Sequence, residues 1–233
     1  MKRSNFSRRS GFTLLETVIA IGVLAVLLTG FMVVFAPAAE GIRKSINIQQ
    51  ADRLASTLER ELVTLRDTNN PTGFDKAFEW IKASNGAPGA LLVYQYRGRS
   101  GSLRQDGTPT PEPTLKDKLV GKDYVVVPMV RRKGDANFAA DLAAVEGAVY
   151  LVKCTQLVFD ANGLKVGTPG KIIDPKGTLE PAKSDEYPEA VIAFSAEFYM
   201  LPAKSSDYFN GAFTTKFANF KNPVFTRNLA VRR

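Results

Sequence analysis

The chain has 233 residues, is 45% hydrophobic, carries a formal charge of +8, and contains one cysteine and no histidine. That length leaves room for one globular domain of ordinary size. The missing histidine excludes His-dependent triads and His-based metal sites, and the lone Cys154 excludes an internal disulfide, so packing must carry the stability. Lys2, Arg3, Arg8 and Arg9 supply four of the positive charges, which leaves a mildly basic remainder, compatible with nucleic acid or an acidic surface as partner but requiring neither.

The first ordered pattern is Arg8-Arg9-Ser10-Gly11-Phe12-Thr13-Leu14-Leu15-Glu16-Thr17, followed by an uncharged, mostly apolar run from Thr17 to Ala39. A helix rises about 1.5 Å per residue, so roughly 20 such residues cross a bilayer core of about 30 Å. The basic residues before the run hold the amino terminus in the cytoplasm and send the rest of the chain across. Thr13, Thr17 and Thr29 can return their hydroxyls to helix carbonyls, so they do not forbid insertion. Glu16 is the misfit: a carboxylate at the edge of a hydrocarbon layer costs several kcal/mol unless something pairs with it. Ala36-Pro37-Ala38 before Ala39 satisfies the small-residue rule of an ordinary secretory signal, but the apolar run exceeds the roughly 7 to 15 residues of such signals and has an acid near its start.

Basic cluster, glycine, aromatic residue, carboxylate and membrane-length helix together resemble the leader of type IV pilins and type II secretion pseudopilins. The resemblance covers Ser10 to about Asp67. It implies cleavage by a prepilin peptidase between Gly11 and Phe12, N-methylation of Phe12, and pairing of Glu16 with the terminal amine of a neighbouring subunit, which sets register during assembly. Many pilins staple their C-terminal region with a disulfide, and this chain departs from that pattern.

Past Pro37 the polarity changes while helical spacing continues. Leu54, Leu58, Leu62 and Leu65 recur on one face, extended by Ile42, Ile46, Ala51 and Ala55, and charged residues decorate the other. Pro37 removes a backbone donor and is expected to kink or locally unwind the helix. Asp67-Thr68-Asn69-Asn70-Pro71 ends it. Phe74 to Ser84 reads as a short helix with Trp80 off its apolar face and exposed. The spacing then shifts to strands at 90–97, 123–131, 148–159, 190–201 and 223–231, with a short helix over 135–146 and a tight turn at Asp160-Ala161-Asn162-Gly163. The links 98–119 and 167–188 read as surface loops.

These elements predict an α+β, pilin-like fold: a long N-terminal helix, membrane-spanning in its first half and amphipathic in its second, packed on an antiparallel sheet. The expected divisions are a leader (1–11), a hydrophobic transmembrane and assembly helix (12–39), its amphipathic continuation (40–67) and an extracytoplasmic β-rich domain (68–233).

No nucleophile motif, phosphate-cradling loop or ligand cluster stands at a recognisable spacing, so neither enzyme activity nor a cofactor is expected. Asp185, Glu186 and Glu189 form an acidic loop with oxygen ligands of the kind calcium takes, although a solvated loop explains them better. Arg97, Arg99 and Arg104, with Arg131-Arg132-Lys133, suit phosphates if they meet on the surface; charged strand ends are the commoner outcome. Phe209, Phe213, Phe217 and Phe220 make either a partner surface or a core cover.

The resemblance implies a structural subunit in the inner membrane, amino terminus cytoplasmic and domain extracytoplasmic. Its partners would be a prepilin peptidase, other pilin or pseudopilin subunits and an inner-membrane assembly platform, and after assembly it would sit in a filament. The large domain and long loops suit a minor pilin or pseudopilin better than a densely repeated major one. The same features taken without the resemblance describe a single-span membrane-anchored periplasmic binding or sensor domain.

Overall fold

The computed structural model describes residues 13–66, 72–114, 116–160, 163–176 and 179–233. The chain divides into two units, the first ending at Ile46 and the second running from Asn47 to Arg233, and helix α1 (Leu14–Val63) contributes to both. In the first unit the helix continues through Pro37 without local unwinding, one of the two outcomes, kink or unwinding, expected there. Every described residue of this unit, Thr13 to Ile46, is exposed.

The second unit is built on an antiparallel sheet of seven strands among the described residues: β1 (Leu91–Leu103), β2 (Pro109–Pro111), β3 (Tyr124–Arg132), β4 (Val145–Asp160), β5 (Gly163–Val166), β6 (Val191–Met200) and β7 (Phe225–Arg232). One edge of β1 bonds β3; the other bonds β4 and, further along, β2. The sheet continues through β6 to β7, and β5 folds back on β4. β1 and β4 lose register between Val93 and Gln95. Gly147 lies opposite this slip with φ +75, a bulge conformation that a side chain would strain. The pair Asp160↔Gly163 closes the β4–β5 hairpin at the predicted turn, whose residues 161 and 162 lie outside those described.

Strand alternation gives the sheet two apolar faces. Leu91, Val93, Tyr150, Val152, Cys154, Phe194 and Phe198 turn to one side, where they meet Leu54, Leu58 and Leu62 of α1 and Phe74, Phe78 and Ile81 of α2 (Gly73–Ala83). Of the stripe read from the sequence, Ala51, Leu54, Ala55, Leu58 and Leu62 form the packed face, whereas Ile42 and Ile46 are exposed and Leu65, also exposed, lies past the helix end. A Cβ on Gly73 would stand 2.6 Å from the Val63 carbonyl oxygen, so only glycine permits the close approach of α2 to the end of α1. Leu92, Tyr94, Tyr96, Met129, Leu151 and Tyr199 turn to the other side. There α3 (Ala136–Leu142), α4 (Ser206–Asn210) and α5 (Ala212–Lys216) cover them. Phe209, Phe213 and Phe217 are buried in this second core and Phe220 packs against it, which decides that segment as a core cover.

Several expectations change at the boundaries. The 135–146 helix stops at Leu142, and Val145 and Glu146 already belong to β4, because they face Tyr96 and Gln95 of β1. The loop over 98–119 contains the second half of β1 and all of β2. Trp80, expected exposed, is 8% exposed, flanked by Lys76 at 4.2 Å and Arg132 at 5.6 Å from the ring centre.

Candidate assembly segment

The helix begins with a reciprocal cap. Thr13 Oγ1 accepts from the Glu16 amide at 3.2 Å, and the Thr13 amide donates to Glu16 Oε2 at 3.4 Å. This is a capping box, the Thr-x-x-Glu spacing that satisfies two otherwise orphan amides. Thr17 and Thr29 return their hydroxyls to the carbonyls of Thr13 and Ala25, as expected, whereas Thr13 serves as the cap instead. Gly11 and Phe12 lie outside the described residues.

The apolar part of α1 is uncovered. Leu15, Ile19, Val23 and Val26 are between 55% and 73% exposed, and an 18-residue window of the helix has a mean hydropathy of 2.8. Length and composition suffice to cross a membrane. A side-chain surface this apolar requires lipid or other helices around it.

The far end of α1 is tied down by charge. Lys76, 3% exposed, donates to the carbonyls of Glu61 (2.7 Å) and Thr64 (2.6 Å) and to Glu61 Oε1 (3.1 Å), so a buried cation caps the helix C-terminus. Arg66 grips the same carboxylate through Nε at 2.8 Å and Nη2 at 2.9 Å, which raises its pKa above the ordinary value, and donates to the Asp106 carbonyl at 3.2 Å. From Asp106 the chain of ion pairs passes to Arg131 (2.8 Å) and on to Asp141, which is fully buried and also accepts from Tyr94 Oη (2.6 Å) and Arg104. Burial pushes the Arg131 pKa down, but Asp141, Tyr94 and Asp135 outweigh it and hold it above its ordinary value.

Pairings answer for Arg97, Arg99, Arg104 and Arg131 of the two basic clusters, while Lys133 donates to Thr214 Oγ1 at 3.1 Å and Arg132 lies over the Trp80 ring. Arg97 donates to the Glu112 and Pro113 carbonyls, Arg99 and Lys118 to the Glu112 carboxylate, and Arg104 and Arg131 to Asp141, so they brace the β1–β2 hairpin and do not form a free phosphate-binding surface. In the acidic loop, Glu186 accepts from the Ala182 amide at 2.8 Å and Glu189 pairs with Lys176 at 2.7 Å, while Asp185 is exposed. No group of three or more acidic, cysteine or histidine side chains that could hold a metal exists among the described residues.

A long apolar N-terminal helix continuing into an amphipathic half packed on an antiparallel sheet is a pilin-like α+β architecture. Residues 6–32 match the model of the prokaryotic N-terminal methylation motif, the signature of type IV pilins and pseudopilins. The motif marks prepilin-type substrates of the prepilin peptidase. No curated protein sequence and no solved structure matches the chain.

Proposed function

We propose that this protein is a minor pilin or pseudopilin, a structural subunit cut after Gly11, methylated on Phe12 and assembled through α1 into a type IV pilus or a type II secretion pseudopilus. The observation that supports the reading is the methylation motif at 6–32 set on a helix whose residues from Leu14 to Ile46 are all exposed. In the membrane, residues 12–39 form the span and 40–67 lead into the extracytoplasmic domain 68–233. Glu16 is the register charge: capped by Thr13 while the subunit waits, it exchanges that weak bond for the Phe12 amine of a neighbour as the filament grows. The stripe Leu15, Ile19, Val23 and Val26 forms the seam between helices, with an inner-membrane platform as the site of assembly. Function here is positioning and polymerisation, without a catalytic step.

Intact-mass analysis of the protein from its native host tests this. The expected mass corresponds to a chain starting at Phe12 with one added methyl group. A chain starting at Ala39, or an uncleaved one unaffected by loss of the prepilin peptidase, overturns the reading.

A further inference from the structure

Among the described residues β2, β3, β5 and β7 each pair with a single strand, which leaves each with a free edge. The first three are blunted. β2 is three residues long with proline at both ends, β3 carries Pro128 at its centre, and β5 has four residues. Short strands and prolines deny an incoming chain a continuous row of hydrogen-bonding groups. β7 has neither device: its eight residues contain no proline and keep an unbroken register with β6 from Val191↔Arg232 to Phe198↔Phe225.

Bonds in an antiparallel ladder fall on alternate residues. Because the Arg233 amide donates to the Ala190 carbonyl at 2.8 Å, Val231, Leu229 and Arg227 also bond β6, and Thr226, Asn228, Ala230 and Arg232 turn their N–H and C=O groups outward. These outward residues are all exposed, so no described element covers the row. Both ends of the strand are pinned: Arg227 pairs with Asp52 at 3.2 Å, and Arg233 donates to the carbonyls of Ser184 (2.6 Å) and Tyr187 (3.0 Å). A strand already held in extended form loses little freedom when another pairs with it.

We propose that the outer edge of β7 takes up an extended, acidic segment of a different protein, which adds to the sheet as a further strand. Backbone geometry selects an extended chain, and charge selects its composition. β7 contains Arg227 and Arg232 and no carboxylate; Arg227 is matched by Asp52, whereas Arg232 has no hydrogen-bond or ion-pair partner among the described residues. A second copy is a poor occupant. β2, β3, β5 and β7 together hold no Asp or Glu, so edge-to-edge pairing between copies brings cations together without a counter-charge. The arginines thus guard the edge against its own kind and favour a strand that places a carboxylate opposite Arg232. The edge lies wholly within the second unit, so it is independent of how α1 is used.

Full-length protein in detergent micelles is mixed with a blocked peptide alternating threonine with valine and glutamate, or with the same peptide carrying lysine for glutamate. Residue-resolved hydrogen exchange reads the edge: the amides of Thr226, Asn228, Ala230 and Arg232 exchange fast in the free protein and slowly once the acidic peptide is added, while those of Arg227, Leu229 and Val231 are slow throughout. Anisotropy of the labelled peptide gives the affinity. Asn228→Pro, which removes an outward N–H and no bond to β6, is expected to weaken binding about tenfold or more. Arg232→Gln is expected to weaken the acidic peptide about two- to fivefold without weakening the lysine peptide. Thermal melts separate loss of binding from loss of fold, and Arg232→Gln carries the test should Asn228→Pro fail to fold. No protection of the outward amides by the acidic peptide, or binding by a folded Asn228→Pro equal to that of wild type, overturns the site. Equal binding of the lysine peptide, or an unchanged response in Arg232→Gln, overturns the acidic partner. Protection of the same amides that grows with protein concentration alone assigns the edge to a second copy and overturns the different protein.

Discussion

Asp106 shows how a single side chain couples the hairpin turn to the rest of the domain. Its Oδ1 accepts from the Thr108 amide (3.0 Å) and hydroxyl (2.6 Å), and its Oδ2 from Arg131 (2.8 Å) and Asn137 (3.1 Å). Burial alone would raise its pKa; the Thr108 and Arg131 contacts more than reverse that and hold it at about 2. An unfolded aspartate titrates at about 3.9, so the ionised group contributes stability that is complete above that value and is lost as pH falls through about 2. Asp106→Asn is therefore expected to lower the urea midpoint at neutral pH and to flatten its decline between about pH 4 and 2. Urea unfolding at a series of pH values checks this, and parallel wild-type and variant curves would contradict it. The carboxylates and arginines of this network were all visible in the sequence, but their pairing was not. Arg104, Arg131 and Asp141 lie far apart along the chain and meet only because β1, β3 and α3 do. By contrast the Thr13-x-x-Glu16 cap needs only the spacing of two neighbouring residues and is legible in the sequence.

Elements were legible where periodicity was long and opaque where side chains substitute for backbone. The leucine stripe of α1 and the strand runs announce themselves by spacing, and α2 does so through Phe74, Ala77, Phe78 and Ile81. Helical phase places Trp80 off that stripe, yet it is buried because the neighbouring β3 supplies Arg132 to cover it. The end of the β4 ladder is the less legible kind. β1 pairs β4 only as far as Val152, and beyond it Ser84 at the end of α2 completes the bonding. Its Oγ accepts from the Cys154 amide at 2.9 Å and donates to the Ile81 carbonyl at 2.8 Å, while Asn85 donates to the Cys154 carbonyl at 2.6 Å. Two residues on, the Gln156 side-chain amide acts as a strand in miniature, exchanging bonds of 2.8 Å with the Ile173 amide and carbonyl and so fixing the chain at Ile173. Ser84→Ala strands a buried amide and is expected to cost about 1–3 kcal/mol. It also loosens α2 over Cys154, whose thiol burial now pushes up to about 12 and shields from reagents. Chemical denaturation measures the first effect, and the rate of thiol labelling under native conditions the second. A variant as stable and as unreactive as wild type would show that α2 is held by its apolar face alone.

At the scale of the whole molecule, the two units differ in what their surfaces ask of the surroundings. The described residues of the first are exposed throughout and offer mainly apolar side chains, so that unit is complete only in lipid or among other helices. The second encloses both of its cores, and each buried residue of α1 lies at Ala51 or beyond. Residues 47–233 are therefore expected to fold without the preceding segment. Such a chain should run as a soluble species on gel filtration and melt in one cooperative transition by circular dichroism. Starting at Asn47 keeps its carbonyl, which accepts from Tyr150 Oη at 3.1 Å, and leaves a helical turn to fray ahead of Ala51. Starting instead at Ala55 discards Ala51 and Leu54 from the core and is expected to cost at least the roughly 1.5–3 kcal/mol of one buried leucine. A melt for the longer fragment no better than for the shorter would mean that the amphipathic half of α1 borrows its order from the apolar half. The two halves, continuous as one helix, would then not be separable in function.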